Sequence, residues 1–326
     1  NAEWLGSGPR CWSLADASRA PFLGCLDEYK LKQLGSPIFA AAKACYKRDQ
    51  GIFEIEEAQK MELQDKVVVI TGGSGGIGQA MARAFKAHGA AGIVLADLDS
   101  AAVERAATTL ECDGRVCNVT DEDDIIALVD WVIDRYGRID LFCSNAGIFT
   151  AGGENVSTEA WQSIWDINVM SHVFAARAVL PSMLERGEGY LLNTSSAAGL
   201  LSQVGSAPYS VTKHAAIGFA EWLSITYGNR GIKVSALCPQ AVRTAMTAVG
   251  AGDGGVAGLD GMLEPEQLAN TVIETLEKEE FLVLPHPEVL TYMRRKTDDY
   301  DRWLGGMRRL NDKFEDAYRK REESQD

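Results

Sequence analysis

The sequence has no apolar run that approaches the roughly 20 residues needed to cross a bilayer as a helix, and no stretch rich in lysine and arginine. Its formal net charge of -14 at pH 7 repels phosphate backbones and anionic lipid headgroups. We therefore expect no transmembrane segment and no nucleic-acid partner. The chain begins at Asn1 without a basic and apolar leader, which predicts a soluble, cytoplasmic protein. A mitochondrial or plastid matrix location stays open if a targeting peptide has been removed.

Cysteine pairs of the C-x-x-C type are also absent, and the number of cysteines, seven, is odd. This pattern favours reduced thiols. Cys117, Cys143 and Cys238 each close a short apolar run, so we expect them to be buried as small hydrophobic residues.

The spacing of apolar residues divides the chain into three parts. Residues 1–60 have no clear period over most of their length and predict an N-terminal extension, which would pack on the main domain, dock a partner or stay flexible. Residues 61–290 predict the main domain. Residues 291–326 carry one apolar stripe on a charged helix, which would pack on that domain or on a partner subunit.

In the main domain, apolar runs of four to six residues alternate with longer amphipathic stretches, as in βαβ units around a parallel sheet. The expected strands are 67–70, 93–96, 115–117, 141–144, 190–193, 233–237 and 281–284. The expected helices are 78–88, 101–110, 121–136, 160–185, 207–227 and 264–277. We therefore predict an α/β fold, a doubly wound parallel sheet of about seven strands with helices on both faces.

The first strand leads directly into a glycine-rich turn and then into a helix. Small residues in such a turn let backbone amides approach a pyrophosphate, and the helix N-terminus supplies partial positive charge. A purely structural glycine turn is the alternative. The residues predicted to bind a dinucleotide here are Gly72, Ser74, Gly75, Gly76, Ile77 and Gly78.

The second strand ends on Asp97, nineteen residues after Gly78. A carboxylate at this place accepts hydrogen bonds from the adenosine ribose hydroxyls and repels a 2'-phosphate. No arginine or lysine lies in the glycine turn or directly after Asp97, so the local charge favours NAD over NADP. The alternative is a solvated loop residue.

Tyr209 and Lys213 are four residues apart and share one face of a predicted helix. A lysine ammonium near a phenol favours the phenolate, which predicts a pKa below the usual value of about 10. Ser196, thirteen residues before Tyr209, ends a predicted strand and supplies a hydroxyl partner. Tyr292 and Lys296 repeat the spacing, but Glu279 stands thirteen residues before Tyr292. We interpret this second pair as surface residues.

As an ordered set, the glycine turn, Asn145-Ala146-Gly147, Asn168, Ser196 and the segment 209–213 resemble the short-chain dehydrogenases/reductases over about residues 63–285. The resemblance implies a single Rossmann-type catalytic domain without metal, in a homodimer or homotetramer. It implies that Ser196 orients the substrate oxygen and Tyr209 transfers the proton. Lys213 would bind the nicotinamide ribose and tune Tyr209, and Asn168 would support a water in the proton relay.

The resemblance also implies further cofactor contacts. These are Asn118, Val119, Asn145, Ala146, Gly147, Tyr209, Lys213, Pro239, Val242 and Thr244. Asn118 stands where the family commonly has aspartate, and its carbonyl oxygen could still accept from an adenine amino group. Gln240 stands where glycine is commoner, so it would shape specificity or point into solvent.

The substrate residues expected are Ser196, Val204, Tyr209 and Gln240. The segment 200–208 is largely apolar, which suits a lipophilic alcohol unless these side chains fill the core. The glycine-rich interval 249–261 is the expected mobile lid. The leading hypothesis is NAD(H)-dependent interconversion of a secondary alcohol and a ketone with Tyr209 as acid/base. The alternative is a nucleotide-binding or structural subunit that docks through residues 1–60.

Overall fold

The computed structural model describes residues 61–248 and 255–322, with side chains up to residue 315. Within them, seven strands form one parallel sheet in the order β3-β2-β1-β4-β5-β6-β7. The strands are β1 Val67–Thr71, β2 Gly92–Asp97, β3 Asp113–Val116, β4 Leu141–Ser144, β5 Gly189–Thr194, β6 Ile232–Leu237 and β7 Leu282–Val283. The predicted α/β fold is confirmed.

Helices connect these strands and cover the sheet. They are α1 Gly76–Ala87, α2 Ser100–Leu110, α3 Glu122–Tyr136, α4 Thr158–Trp165, α5 Ser171–Arg186, α6 Ala198–Leu201, α7 Ala207–Tyr227, α8 Pro265–Lys278, α9 Glu288–Asp298 and α10 Tyr300–Glu322. A π-helical turn, Asp166–Met170, joins α4 to α5, and short 3-10 turns lie at Gly228–Arg230 and Gly255–Gly258.

The strand order reverses direction between β1 and β4. β1 pairs with β2 on one side and with β4 on the other, and all the pairs are parallel. In such a sheet the loops at the carboxyl ends of β1 and β4 diverge and leave a crevice, where ligands of this fold class bind. The functional residues predicted from the sequence are at this edge.

Both faces of the sheet are buried. Along β1, Val68 and Ile70 belong to one apolar layer, and Val67 and Val69 to the other, because side chains alternate along a strand. The first layer includes side chains of α1, α2 and α8, and the second includes side chains of α3, α5 and α7. This explains why the strands appear in the sequence as continuous apolar runs.

Several helices begin where short polar side chains cap them. Asp99 accepts a hydrogen bond from Ala102 N at the start of α2, and Asp121 does the same for Asp123 N at the start of α3. Such caps satisfy backbone N–H groups that have no partner inside the helix. They fix where each helix begins after its strand.

Three elements differ from the sequence prediction. The expected helix 160–185 is interrupted by the π-helical turn. The strand predicted at 115–117 is Asp113–Val116, at the sheet edge, where it pairs only with β2 and has exposed residues. Apolar residues therefore do not mark its ends. α6 was not predicted, because four residues are too few for a helical period to be visible.

Cys117, Cys143 and Cys238 are all buried, as predicted. The helical run Thr158–Arg186 is, by length and a mean hydropathy of 1.2, a candidate to cross a membrane, but 50 % of its apolar window is buried inside the domain. A core helix of a soluble protein passes the same test.

Some predictions lie outside the described residues. These are the extension 1–60, part of the lid (249–254) and residues 323–326. The division into domains stays a prediction, and its boundary at 290 falls within α9.

Candidate active site

The glycine turn between β1 and α1 is in close contact with the loop after β4. Gly72 has φ of +63°, and a Cβ there would lie 2.9 Å from Ala146 Cα. A Cβ on Gly78 would lie 2.5 Å from the Gly72 carbonyl oxygen. Only glycine fits either position. The first N–H groups of α1 have no partner inside the helix, and such groups bind anions.

Asp97 lies at the end of β2, beside this turn. One of its carboxylate oxygens, Oδ2, accepts hydrogen bonds from Ser74 N (3.0 Å) and Ser74 Oγ (2.6 Å). The other, Oδ1, accepts from Leu98 N (2.8 Å). The carboxylate is therefore fixed against the glycine turn rather than free in a solvated loop.

Asn145 joins the carboxyl ends of three strands. Its N–H donates to Thr71 Oγ1 (3.0 Å), and its Nδ2 donates to the Thr71 carbonyl (3.1 Å). Its Oδ1 accepts from Thr194 Oγ1 (3.3 Å) at the end of β5. Ala146 N also donates to Thr71 Oγ1 (3.2 Å), so the loop after β4 is held across the crevice by several hydrogen bonds.

Asn168 lies in the π-helical turn and is fully buried. Its Oδ1 accepts from Ile148 N (2.9 Å), and its Nδ2 donates to Ile148 O (3.0 Å) and to Thr212 Oγ1 (3.3 Å). Single π turns inside helices occur frequently at functional sites. Here the turn lets one side chain join the loop after β4 to α7, which carries Tyr209 and Lys213.

Tyr209 lies in the first turn of α7 and is half-buried. Ser206 caps this helix: its Oγ accepts from Tyr209 N (3.2 Å) and donates to Thr150 O (2.6 Å). The Phe149 ring lies 5.2 Å from the Tyr209 ring, centroid to centroid. The cap and the ring therefore fix both the backbone and the side chain of Tyr209.

Lys213 lies one turn further along α7, as the spacing predicted, and only 3 % of it is exposed. Its Nζ donates to Thr194 O (3.1 Å) and lies 5.5 Å from the centroid of the Tyr209 ring. A Cβ on Gly147 would lie 3.3 Å from both Lys213 Nζ and Asn168 Oδ1. The absence of a side chain at residue 147 leaves room for both polar groups.

The pKa values of this pair differ from the sequence prediction. Burial raises the pKa of the Tyr209 phenol above its usual value, and the nearby Ser196 hydroxyl opposes this by stabilising the phenolate. The net shift of the Tyr209 pKa is therefore upward, opposite to the predicted one, because burial outweighs the groups that stabilise the phenolate. Burial lowers the pKa of Lys213 itself to about 8, because the interior disfavours its ammonium form.

Ser196 follows β5 and precedes α6. Its Oγ donates to Pro239 O (3.2 Å) and accepts from Ala198 N (3.1 Å). The strand ends therefore bring Ser196, Tyr209, Lys213 and Asn168 to one side of the crevice. A hydroxyl, a phenol and an ammonium at such a place are groups that can bind an oxygen and move its proton.

The remaining predicted cofactor residues lie around the same crevice. A Cβ on Gly76 would lie 3.0 Å from Thr244 Cγ2, so Thr244 packs against the start of α1. Val119 and Val242 are buried. Asn118 Oδ1 already accepts from Thr120 N (3.2 Å) and Thr120 Oγ1 (2.9 Å). An adenine contact through that carbonyl oxygen is therefore disfavoured, and the amide nitrogen or the main chain of Asn118 would have to make it.

Gln240 does not point freely into solvent. Its Nε2 donates to Asp260 Oδ2 (3.0 Å), and its backbone N–H donates to His286 Nδ1 (3.2 Å). The interpretation of Tyr292 and Lys296 as surface residues is wrong: Lys296 is buried, and Tyr292 is half-buried and donates to Asp260 Oδ1 (2.9 Å). The presence of Ser196 thirteen residues before Tyr209 distinguishes the first pair from the second. It does not indicate whether the side chains of the second pair are buried.

Four residues of this site were missed at the sequence level. Thr71 and Thr194 accept or donate the hydrogen bonds that hold the crevice, Ser206 caps α7, and Phe149 contacts Tyr209. Ser206 was detectable, because serine before Ala-Pro at the start of a helical pattern is a typical N-cap. The other three depend on contacts between distant strands and loops, for which the sequence carries no local pattern.

A hydroxyl, a phenol and an ammonium beside a glycine turn at the carboxyl edge of a parallel sheet are typical of oxidoreductases that exchange a hydride with a dinucleotide. The family model described as short chain dehydrogenase matches residues 66–251. The 1-deoxy-11-beta-hydroxypentalenate dehydrogenase of Streptomyces exfoliatus is 33 % identical over 248 residues, which cover 73 % of this chain and 90 % of that one. The meso-2,3-butanediol dehydrogenase of Serratia marcescens is 34 % identical, over 57 % of this chain and 75 % of that one.

A solved structure of a short chain dehydrogenase/reductase from Burkholderia phymatum, in complex with NAD, superposes with a TM-score of 0.69. It is 28 % identical, and the match covers 74 % of this chain and 96 % of that one. The chain therefore belongs to the short chain dehydrogenase family: it is an oxidoreductase with a Rossmann fold.

Proposed function

We propose that this protein interconverts a secondary alcohol and a ketone with NAD(H), and that Tyr209 is its acid/base. The observation that carries the proposal is the grouping of Tyr209, Lys213 and Ser196 beside a glycine turn at the carboxyl edge of the sheet. The names of the relatives, which include a butanediol dehydrogenase, support a hydroxyl group as the reacting group.

The described residues fit a dinucleotide. The glycine turn is a cradle that a Cβ would fill, the start of α1 offers N–H groups to a pyrophosphate, and Asp97 is fixed beside the turn. When bound, NAD supplies the acceptor or donor of the hydride. The residues proposed to hold it are those predicted from the sequence, with Asn118 contributing through its main chain or amide nitrogen.

The proton steps belong to the protein. Ser196 Oγ orients the substrate oxygen, and Tyr209 Oη takes the hydroxyl proton in oxidation or returns it in reduction. The positive charge of Lys213 favours the phenolate during oxidation. Asn168 keeps the loop after β4 next to α7, and its remaining acceptor capacity could hold a relay water. Since burial raises the pKa of Tyr209, oxidation should accelerate with rising pH and reduction should slow.

NAD is proposed in preference to NADP because the Asp97 carboxylate would lie next to a 2'-phosphate. The double variant Asp97→Ser with Leu98→Arg removes the negative charge and adds a positive one at an exposed position. We expect the ratio of kcat/KM for NADP to that for NAD to rise by about a hundredfold, since two charge terms of about 1.4 kcal/mol each are involved. An unchanged ratio would show that Asp97 does not select the cofactor.

A lipophilic substrate is proposed from the walls beside Tyr209. Phe149 is 45 % exposed, and Val204 is half-buried, whereas Leu201 and Pro208 are buried and fill the core. Gln240 Oε1 is buried and has no hydrogen-bond donor among the described residues, so it could accept from a second polar group of the substrate. Gln240→Leu should raise KM more for a diol than for the matching mono-alcohol.

NADH formation across a panel of secondary alcohols, followed at 340 nm, tests the proposal. Wild type should oxidise at least one lipophilic alcohol, and Tyr209→Phe should not do so at a comparable rate. Turnover that survives Tyr209→Phe would show that the acid/base assignment is wrong. Absence of turnover with both NAD and NADP over the whole panel would favour a non-enzymatic subunit.

A homodimer or homotetramer in an aqueous compartment, cytoplasmic or matrix, is part of the proposal. On α7, Trp222 is 53 % exposed and Ile225 is 82 % exposed, which is unusual for large apolar side chains that lie close together on a helix. A second copy of the chain would cover them. Light scattering after gel filtration should give a multiple of 35.3 kDa for wild type and a monomer for Trp222→Glu with Ile225→Glu.

A further inference from the structure

The second pair, Tyr292 and Lys296, lies on one face of α9. Lys296 is only 9 % exposed, and its Nζ donates to the carbonyl oxygen of Leu200 in α6 at 2.7 Å. A buried ammonium costs free energy unless it has a hydrogen-bond partner, so this contact stabilises Lys296 at its buried position. It joins α9 to the short helix that directly follows Ser196.

Apolar packing supports the same contact. Val289 of α9 is completely buried in a small cluster with Ala197 and Leu201. The side chains packed around this cluster are Leu200, Leu284, Tyr292, Met293 and Trp303. α9 thus packs against α6 and holds the segment that begins at Ser196.

Tyr292 also contacts the loop 255–263. Its hydroxyl donates to Asp260 Oδ1 (2.9 Å), and Asp260 Oδ2 accepts from Gln240 Nε2 (3.0 Å). The residue before Gln240 is Pro239, whose carbonyl accepts from Ser196 Oγ (3.2 Å). α9 therefore holds two segments that meet at Ser196. The first is α6, and the second is the loop 255–263 with the residues that follow β6.

The contact with Asp260 also fixes the orientation of the Gln240 amide. An ionised carboxylate only accepts hydrogen bonds, so the amide nitrogen must face Asp260 and the carbonyl oxygen must face away. That oxygen is buried without a donor among the described residues. Tyr292 donates to Asp260 and so helps to hold the carboxylate in place. The carboxylate in turn fixes the orientation of the Gln240 amide.

We propose that Tyr292 and Lys296 are positioning residues that determine how tightly the crevice binds substrates extending beyond the reacting carbon. The proposal rests on the proposed function, because it concerns the substrate end of the same site. Neither residue contacts the reacting atoms: Lys296 acts through the α6 backbone, and Tyr292 acts through Asp260 and Gln240. Their substitution should therefore change KM for bulky alcohols more than kcat.

The first experiment compares Lys296→Met and Tyr292→Phe with two control variants, Lys278→Met and Tyr227→Phe. Lys278 is exposed, and Tyr227 contacts its neighbours Trp222 and Arg230 through its ring, which phenylalanine keeps. The probes are 2-propanol and decahydro-2-naphthol with NAD. The preference is the ratio of kcat/KM for the bulky alcohol to that for 2-propanol. Lys296→Met should lower this ratio about tenfold through KM. Tyr292→Phe should lower it about threefold, because the hydrogen bond of Tyr292 is exposed to water.

Lys296→Arg keeps a charged donor and should restore most of the preference, which loss of packing alone would not explain. Equal changes in all variants and controls, or changes confined to kcat, would overturn the proposal.

The second experiment measures hydrogen exchange and needs no turnover. Lys296→Met should accelerate exchange about tenfold in residues 196–203, and Tyr292→Phe should do so in 255–263, while α1 exchanges as in wild type. Uniform acceleration, or none, would overturn the proposal. If wild type oxidises no alcohol but exchange changes in these two segments, the proposed function fails while the structural positioning stands.

Discussion

Tyr209–Lys213 and Tyr292–Lys296 have the same spacing, and in both the lysine is buried and donates to a backbone carbonyl. The two carbonyls, Thr194 O and Leu200 O, lie on either side of Ser196 in the sequence. The two lysines therefore hold the two ends of the segment that presents the Ser196 hydroxyl, which we propose to orient the substrate.

The pairs differ in what their tyrosines face. Tyr209 lies over the crevice with Lys213 Nζ 5.5 Å from its ring, whereas the ring nearest to Lys296 Nζ is that of Tyr300, at 5.6 Å. Tyr292 points to Asp260. A shared spacing thus places two side chains on one helix face, but the neighbouring elements decide whether they act together.

The largest difference should appear when each hydroxyl is removed. Tyr209→Phe should lower kcat/KM by about 10³-fold, or about 4 kcal/mol, since general acid–base catalysis typically contributes 10²–10⁴-fold. Tyr292→Phe should change it about threefold, mainly in KM. Steady-state NADH formation with one alcohol measures both. Comparable losses in kcat for the two variants would break the distinction between the pairs.

The next difference concerns stability and pH. The pKa of Lys213 is lowered from its usual value to about 8, so the folded protein carries a buried ammonium below pH 8, which lowers its stability. As pH rises from 8 to 10.5 the folded state loses this proton before the unfolded state does, and wild type gains up to about 3 kcal/mol relative to Lys213→Met. Urea unfolding of the cofactor-free protein at pH 7 and pH 10 measures the change.

For Lys296→Met we expect a loss of about 1–2 kcal/mol at pH 7, because the Leu200 carbonyl loses a charged donor in a buried place. Lys213→Met should therefore lower the free energy of unfolding at pH 7 less than Lys296→Met does, because it also removes the destabilising buried ammonium. If wild type and Lys213→Met show the same pH dependence, the ammonium of Lys213 is not the source of the change.

The comparison also shows what a sequence can reveal. β1, the glycine turn and α7 were predictable because their patterns are local: a continuous apolar run, closely spaced glycines, and a tyrosine and lysine on one helix face. The burial of Lys296 was not, because it depends on α6, a four-residue helix without a visible period, lying about a hundred residues away in the chain. The raised pKa of Tyr209 was not predictable either, because it depends on burial by elements that are distant in the sequence.

A smaller effect is expected from the space around Lys213. A methyl group at residue 147 would lie 3.3 Å from Lys213 Nζ and from Asn168 Oδ1, so both must shift by a few tenths of an ångström. We expect Gly147→Ala to lower kcat about tenfold, or about 1.4 kcal/mol, with little change in Tm. Gly153→Ala is the matched control, since a Cβ there meets nothing within 4 Å. Equal effects of the two variants would show that the space beside Lys213 is not critical.

The smallest effect should come from the ring beneath Lys296. Tyr300 is 54 % exposed, and a cation–π contact at an exposed site contributes about 0.5–1 kcal/mol. A double-mutant cycle between Lys296→Met and Tyr300→Leu, followed by urea unfolding, should give a coupling energy of this size, whereas the cycle between Lys296→Met and Tyr292→Phe should give a value near zero. In the proposed catalytic pair, the cycle between Lys213→Met and Tyr209→Phe should be strongly non-additive in kcat, because we propose that the two side chains act as one unit. Strong coupling between Tyr292 and Lys296 would mean that these two side chains also act on each other. The two pairs would then differ only in their position in the fold.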